Sequence, residues 1–266
     1  MGNVGHRVAA MQARVLTLNT LFKGEARARM SVLAETIERS DYDVVCLQEV
    51  VSWRILGLLR RVATSYPHVA YMPMFPLVRG GLVTLSRHPV TRRRFRAYAP
   101  ARPVRPEWLL GKGALFTRIR LPGGHLTVVN THLSANLDMD WSPSNVYAQV
   151  EKAELHRLAA AVNQIPKTEP LVAMGDFNVP RDSPYLAEFV SSTGLRDVFG
   201  GDTEPTFRPE YANIGAIDQL LVGPGLEATA RLVFKERVRL PGGRSTVLSD
   251  HYGIEADLTA ASTGDG

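Results

Sequence analysis

Strand-length apolar runs alternating with amphipathic helical segments predict a single α/β domain in which sheet carries most of the core. The endings of those runs predict where its working end lies. Leu171-Val172-Ala173-Met174-Gly175 leads into Asp176-Phe177-Asn178. On an extended backbone residues two apart point the same way, which places Asp176 and Asn178 on one face, unless the pair simply closes an Asx turn. The run through Leu18 ends on Asn19, the run through Leu47 on Gln48-Glu49, and the run through Val129 on Asn130-Thr131-His132. Buried strands ordinarily end in turn residues, so repeated endings in acids, amides and histidines point to one shared site.

Residues 1–12 read as a loose tail, 13–259 as one domain and 260–266 as a second tail. A strand at 15–19 is followed by a helix at 25–40 with Met30, Leu33 and Ile37 on one face. Residues 43–48 form a nearly all-apolar strand, as expected where both faces are covered. A helix at 51–64 turns Leu56, Leu59 and Val62 inward, and short strands follow near 68–71, 81–86 and 90–97. Prolines at 100, 103 and 106 make 99–113 a long irregular loop. Strands at 114–120 and 125–130 flank Leu121-Pro122-Gly123-Gly124, a hairpin signal. A loop at 133–143 precedes a helix at 144–164 striped by Leu155, Leu158, Val162 and Ile165. Ser183-Pro184 opens a helix at 183–192, since serine caps and proline suits the first helical position. Strands near 217–222, 228–238 and 253–258 complete the reading.

The chain has 266 residues, 45% of them hydrophobic and 21% charged, values ordinary for a globular protein. No apolar run has the length of a membrane span and the first dozen residues lack a signal-like apolar core, so a cytoplasmic setting is expected. The single cysteine, Cys46, excludes an internal disulfide and reads as a core residue. A net charge of +5 favours an anionic partner. Much of the excess lies in Arg87, Arg92, Arg93, Arg94, Arg96, Arg102 and Arg105, a surface for nucleic acid or anionic lipid, or simply a solvated strand face.

Glu49, Asp176 and Asp250 are candidate carboxylates for one divalent cation, with Asn19 and Asn178 as neutral oxygen donors. Few hard oxygen ligands suit Mg²⁺, with Mn²⁺ as a substitute, and no cysteine pair or paired-histidine motif favours zinc. Beside a phosphodiester, such a cation polarises oxygen and orients water. His132 and His251 are candidate general base and general acid, and Asp218 a partner that fixes one imidazole.

The series Leu18-Asn19, Leu47-Gln48-Glu49, Asn130-Thr131-His132-Leu133, Gly175-Asp176-Phe177-Asn178, Ile217-Asp218-Gln219 and Leu248-Ser249-Asp250-His251 resembles the endonuclease/exonuclease/phosphatase superfamily, in the family's order. The resemblance implies a four-layer α/β/β/α sandwich of two mixed β-sheets flanked by helices, and Mg²⁺-dependent phosphate ester hydrolysis by in-line attack of water. It also implies Glu49 as the principal metal ligand with Asn19 beside metal and phosphate. Asp176 and Asn178 would orient water and phosphate, and Asp250 would assist at the metal or at a histidine. His251 would act as base, His132 from the opposite side, and Asp218 would orient His251.

Within the superfamily, Asp41-Tyr42-Asp43-Val44-Val45-Cys46-Leu47-Gln48-Glu49-Val50, Gly81-Leu82-Val83-Thr84-Leu85-Ser86-Arg87 and Gly111-Lys112-Gly113 are similar to the neutral sphingomyelinase and phospholipase C-like branch. Lys112 would then bind substrate phosphate as a point charge. Trp108-Leu109-Leu110 and Trp141 either meet a membrane interface or cap the core. The expected partner is a phosphodiester, in a phospholipid headgroup or a nucleic acid, with peripheral membrane contact and no obligate protein partner. A DNA or RNA nuclease is the alternative, and a non-catalytic lipid or nucleic-acid binder a further one.

Overall fold

The computed structural model describes residues 10–98 and 109–260. In the first sheet β1 (Gln12–Asn19) and β2 (Val44–Gln48) run parallel, joined by the crossover helix α1 (Ala26–Glu38). Helix α2 (Trp53–Val62) starts where Ser52 Oγ accepts from Ile55 N, and leads to the hairpin of β3 (His68–Met74) and β4 (Leu77–Ser86). The second sheet holds β5 (Val90–Ala97), β6 (Gly113–Leu121), β7 (Gly124–His132), β8 (Leu171–Asp176), β9 (Arg196–Asp197) and β10 (Asp218–Val222). Its parallel pair, β7 and β8, is bridged by α3 (Val146–Val162), and α4 (Pro184–Thr193) follows β8. The chain then returns to the first sheet through β11 (Leu226–Val233), a small hairpin of β12 (Val238–Arg239) and β13 (Ser245–Thr246), and β14 (Gly253–Ala260). The orders are β11-β14-β1-β2-β4-β3 and β5-β6-β7-β8-β10-β9.

Three apolar layers separate the four structural ones. Leu16, Leu18, Val45 and Leu47 face α1 and α2, whereas Val129, Leu171 and Ala173 face α3 and α4. Val15, Val44, Cys46, Val128, Val172 and Met174 fill the space between the sheets. This is the sandwich expected, and Cys46 is buried in its middle with its thiol pushed up to about 12 by burial.

The hairpin at Pro122-Gly123, the Ser183 cap and the bounds of β5 match the sequence reading. Several boundaries differ, β4 among them, which starts at Leu77 rather than at 81. β1 already begins at Gln12 and Met11 is buried between the sheets, so the segment read as tail is structured from there. Ala260 belongs to β14 rather than to a tail. The strand expected at 228–238 stops at Val233, where Phe234 takes φ 61° and turns the chain out of the sheet. Trp108, Arg102 and Arg105 lie outside the described residues.

On the helix-side face of β14, Glu255 is buried, accepts from Tyr42 and from Arg14 at 3.0 Å, and pairs with Arg231 at 2.5 Å. Burial pushes its carboxyl up, but these partners outweigh burial and hold it below its usual range. Its stabilisation is present above the unfolded value near 4.5 and is lost as pH falls through the lower native value. Glu255→Gln is expected to flatten the acid side of the stability profile by about 1 kcal/mol in urea unfolding; an unchanged profile would contradict this assignment.

Candidate active site

Alternation along the strands selects the residues of the site. The side of β1 and β2 that carries Val15 and Val44 between the sheets also carries Asn19 and Gln48 at their ends. The corresponding side of β7, β8 and β10 ends in Asn130 and His132, Asp176, and Asp218. The inter-sheet layer is thus apolar along its length and polar at one end. His132, Asp176 and Asp218 stand abreast in register across three neighbouring strands.

Asp176 is the centre. Its Oδ2 accepts from Asn19 Nδ2 at 2.9 Å and lies 3.3 Å from His132 Nε2 and 3.8 Å from His251 Nε2. Burial pushes this carboxyl up, but His132, His251 and Lys112 outweigh burial and hold it well below the usual carboxylate range. His251 Nδ1 meets Asp218 Oδ2 at 2.8 Å, and its ring stands edge-on to Phe207 with centroids 5.0 Å apart. Burial opposes a charge on His251, yet Asp218, Asp176 and Asp250 prevail and push the metal-free imidazole up to about 10. Burial also raises Asp218, so the His251–Asp218 unit retains its shared proton near neutral pH. Lys112 is buried, with Nζ 2.7 Å from Leu133 O and 3.0 Å from His132 Nε2.

The sequence-predicted residues all arrive at this end, with one correction. Asn178 does not continue the alternation of β8. Its φ is 52°, and Asp176 Oδ1 accepts its N–H at 2.9 Å, an Asx turn that sends Asn178 Nδ2 to Leu133 O at 2.9 Å. The two residues therefore share the site through a turn rather than through a common strand face. Glu49 also lies left-handed, at φ 63°, against Gly81. A Cβ on Gly81 would sit 3.0 Å from Glu49 Cα, so glycine there makes room for this bend. Gly175 is needed for a like reason, because a Cβ would lie 2.0 Å from the Thr131 carbonyl oxygen. Trp141 packs against the core beneath α3 and α4, which settles its two readings in favour of the core.

Glu49 Oε2 accepts from Phe22 N at 2.8 Å, and neither Glu49 nor Asp250 has a lysine or arginine ion pair among the described residues. Asp250 lies 3.9 Å from His251 Nε2. Such hard, uncompensated oxygen donors fit a small divalent cation. Asp176, Asp218 and His251 also place one ligand atom each within 4.8 Å of one another. Two of those atoms are already bonded to each other, so this trio suits proton handling better than metal binding.

Sequence reasoning missed four supporting residues. Arg29 is buried and donates to the carbonyls of Thr20, Leu248, Leu21 and Lys23 at 2.5–2.8 Å. Arg208 holds Ser249 O at 2.8 Å, and Arg181 holds Asp218 O at 2.9 Å. Between the sheets Gln48 Nε2 donates to Asn130 Oδ1 at 2.8 Å. The signal for Arg29 was its place on the apolar line of Leu33 and Ile37, four residues apart. Several of the positive charges are thus structural and face no ligand.

The Endonuclease/Exonuclease/phosphatase family matches residues 16–251. Sphingomyelin phosphodiesterase 2 of Mus musculus is 28% identical over 203 residues, covering 71% of this chain and 47% of that protein. The inositol phosphosphingolipids phospholipase C of Schizosaccharomyces pombe is 27% identical over 198 residues, covering 70% of this chain and 45% of that protein. This chain spans 29% to 61% of the length of the curated relatives it matches. A beta toxin of Staphylococcus aureus, solved with bound magnesium ions, superposes with a TM-score of 0.72 at 16% identity, covering 92% of this chain and 99% of that one. That likeness establishes the fold alone.

Proposed function

Because the chain belongs to the endonuclease/exonuclease/phosphatase family, we propose that it is a Mg²⁺-dependent phosphodiesterase acting on a phospholipid headgroup of the phosphosphingolipid class at a membrane surface. One observation favours lipid over nucleic acid. Among the described residues, the large apolar side chains left exposed are Phe22, Trp53, Phe75, Leu109, Leu137, Met139, Val146 and Tyr211. Phe22 follows β1, Trp53 opens α2 after β2, and Phe75 lies at the turn of β3 and β4. Leu109 precedes β6, Leu137 and Met139 follow β7, and Val146 opens α3. Tyr211 lies near Arg208, whose N–H bonds Asp250 O at 2.8 Å. All of them ring the end of the sandwich that holds Asp176, which suits insertion into a lipid interface. Arg92, Arg94 and Arg96 instead project from the outer face of β5, away from that mouth. No helix among the described residues is long and apolar enough to cross a membrane.

In this reading Glu49 and Asp250 would hold the cation, with Asn19 beside it. Bound there, the cation would polarise the phosphoryl oxygen and stabilise developing charge. Lys112, Asn178 and Asn19 orient the phosphate, and Asp176 fixes water through its free lone pairs. Asp218 fixes the ring through Nδ1, and the charge of a bound cation would lower the imidazole from its metal-free value, so that Nε2 would accept a proton from the attacking water. His132 stands on the other side of Asp176, held by Lys112. The test is phosphocholine release from sphingomyelin vesicles with and without Mg²⁺, with single-stranded and duplex DNA in parallel. Glu49→Ala is expected to reduce metal-dependent release by at least about 100-fold. DNA cleavage without lipid turnover would overturn the substrate class, and metal-independent release would overturn the role of Glu49.

A further inference from the structure

Helices α3 and α4 cover only part of the outer face of the second sheet. Beside them, between β5, β6 and the C-terminal end of α3, lies an open groove of about 550 Å³, within the size range of small-ligand sites. Arg92, Arg94 and Arg96 alternate along β5 and project on one side, about 6.6 Å apart from one to the next. Arg118 lies across from Arg92, but Glu169 takes its Nε at 3.0 Å and also accepts from Thr127. Arg96 reaches Gln164 at 3.3 Å, and none of Arg92, Arg94 and Arg96 has an acidic partner among the described residues. The groove therefore holds three uncompensated positive charges over an apolar wall of Phe116, Ala161 and Ile165. Phe116 stands directly opposite Arg94 in the strand register. Charge on an edge strand also discourages pairing with a second sheet. That role needs only exposed charge and accounts neither for the cavity nor for the apolar wall.

We propose that this groove is a binding site, separate from the catalytic one, for a soluble organic polyphosphate. Its phosphates lie along Arg92, Arg94 and Arg96, and its flat or apolar group rests on Phe116 and Ile165. Guanidinium groups in a row present paired donors to successive phosphate oxygens, and water shed from the apolar wall adds affinity. Thr127, at one end of the groove, stands five residues from His132 on β7, about 16 Å away, whereas Arg96 at the other end pairs with Ala114, level with Thr131; the groove opens on the outer face of the sheet and His132 lies on the inner one. The choice of a soluble anion over a bilayer rests on the reading that the opposite rim meets the membrane. The binding site itself does not, and a metal-free test separates the two.

The experiment is calorimetric titration at low salt with a chelator present, using adenosine triphosphate and inorganic tripolyphosphate as probes. Wild type is expected to bind one adenosine triphosphate saturably and tripolyphosphate about tenfold more weakly. Arg92→Gln with Arg94→Gln should weaken nucleotide binding about 100-fold, because both side chains are exposed and two charge-assisted contacts are lost. Arg61→Gln, on the far side of the molecule, and Glu49→Ala should bind as wild type. Absence of saturable binding overturns the proposal, as does equal weakening by Arg61→Gln. Loss of binding in Glu49→Ala would place the anion at the catalytic mouth instead, and equal affinity for both probes would remove the role of the apolar wall.

Discussion

His251→Gln is expected to lower metal-dependent phosphodiester hydrolysis by about 10²–10⁴-fold while leaving the fold intact. Glutamine suits the test better than alanine. The imidazole is buried between Asp218 at 2.8 Å and Asp176 at 3.8 Å, and truncation would take from two buried carboxylates the cationic neighbour they share. Asp218→Asn leaves the ring in place but removes the group that fixes its tautomer, so a smaller loss of about 10–100-fold is expected, in kcat rather than in KM. Steady-state kinetics on vesicles and on a soluble phosphodiester would check both. Retention of more than a tenth of wild-type kcat by His251→Gln would remove this ring from the proton transfer.

The second large effect is expected away from the reacting atoms. Arg29→Leu should destabilise the protein by about 3–5 kcal/mol, since a buried guanidinium serves four carbonyl oxygens at once. Thermal unfolding would then shift by roughly 10 °C for a chain of this size. Those carbonyls lie on both sides of the proposed cation site. Thr20, Leu21 and Lys23 flank Phe22, which donates to Glu49, and Leu248 precedes Asp250 by two residues. The stabilisation that Mg²⁺ gives wild type should accordingly shrink in Arg29→Leu. An unchanged metal-induced shift would reduce Arg29 to a core residue with no positioning role.

What the sequence made legible, and what it did not, follows from locality. Strand periodicity is a short-range property, and it brought Asn19, Glu49, His132, Asp176 and Asp218 to one end because each lies at or beside the end of an apolar run. Boundaries such as β5 and the Ser183 cap were also local. The Asx turn at Asn178 was one of two readings open from the local sequence, and what chooses it is the distant Leu133 O that receives Asn178 Nδ2. The arginine supports were hidden for the opposite reason. A guanidinium reads as solvated charge until the carbonyls it serves, more than 200 residues away for Arg29 and Leu248, are known. Trp141 was ambiguous because an aromatic in a long loop looks the same whether its ring turns inward or outward.

The closest bonds of the site join one sheet to the other. Asn19 bonds Asp176, His251 bonds Asp218, and Gln48 bonds Asn130, each across the inter-sheet layer. Neither half of the sandwich carries a working set by itself. Asn19 and His251 also stand near opposite limits of the matched region, so a growing chain on the ribosome lacks the set until His251 has been made. The set therefore assembles all at once, with the docking of the two sheets, and a chain that misassembles does not hold it.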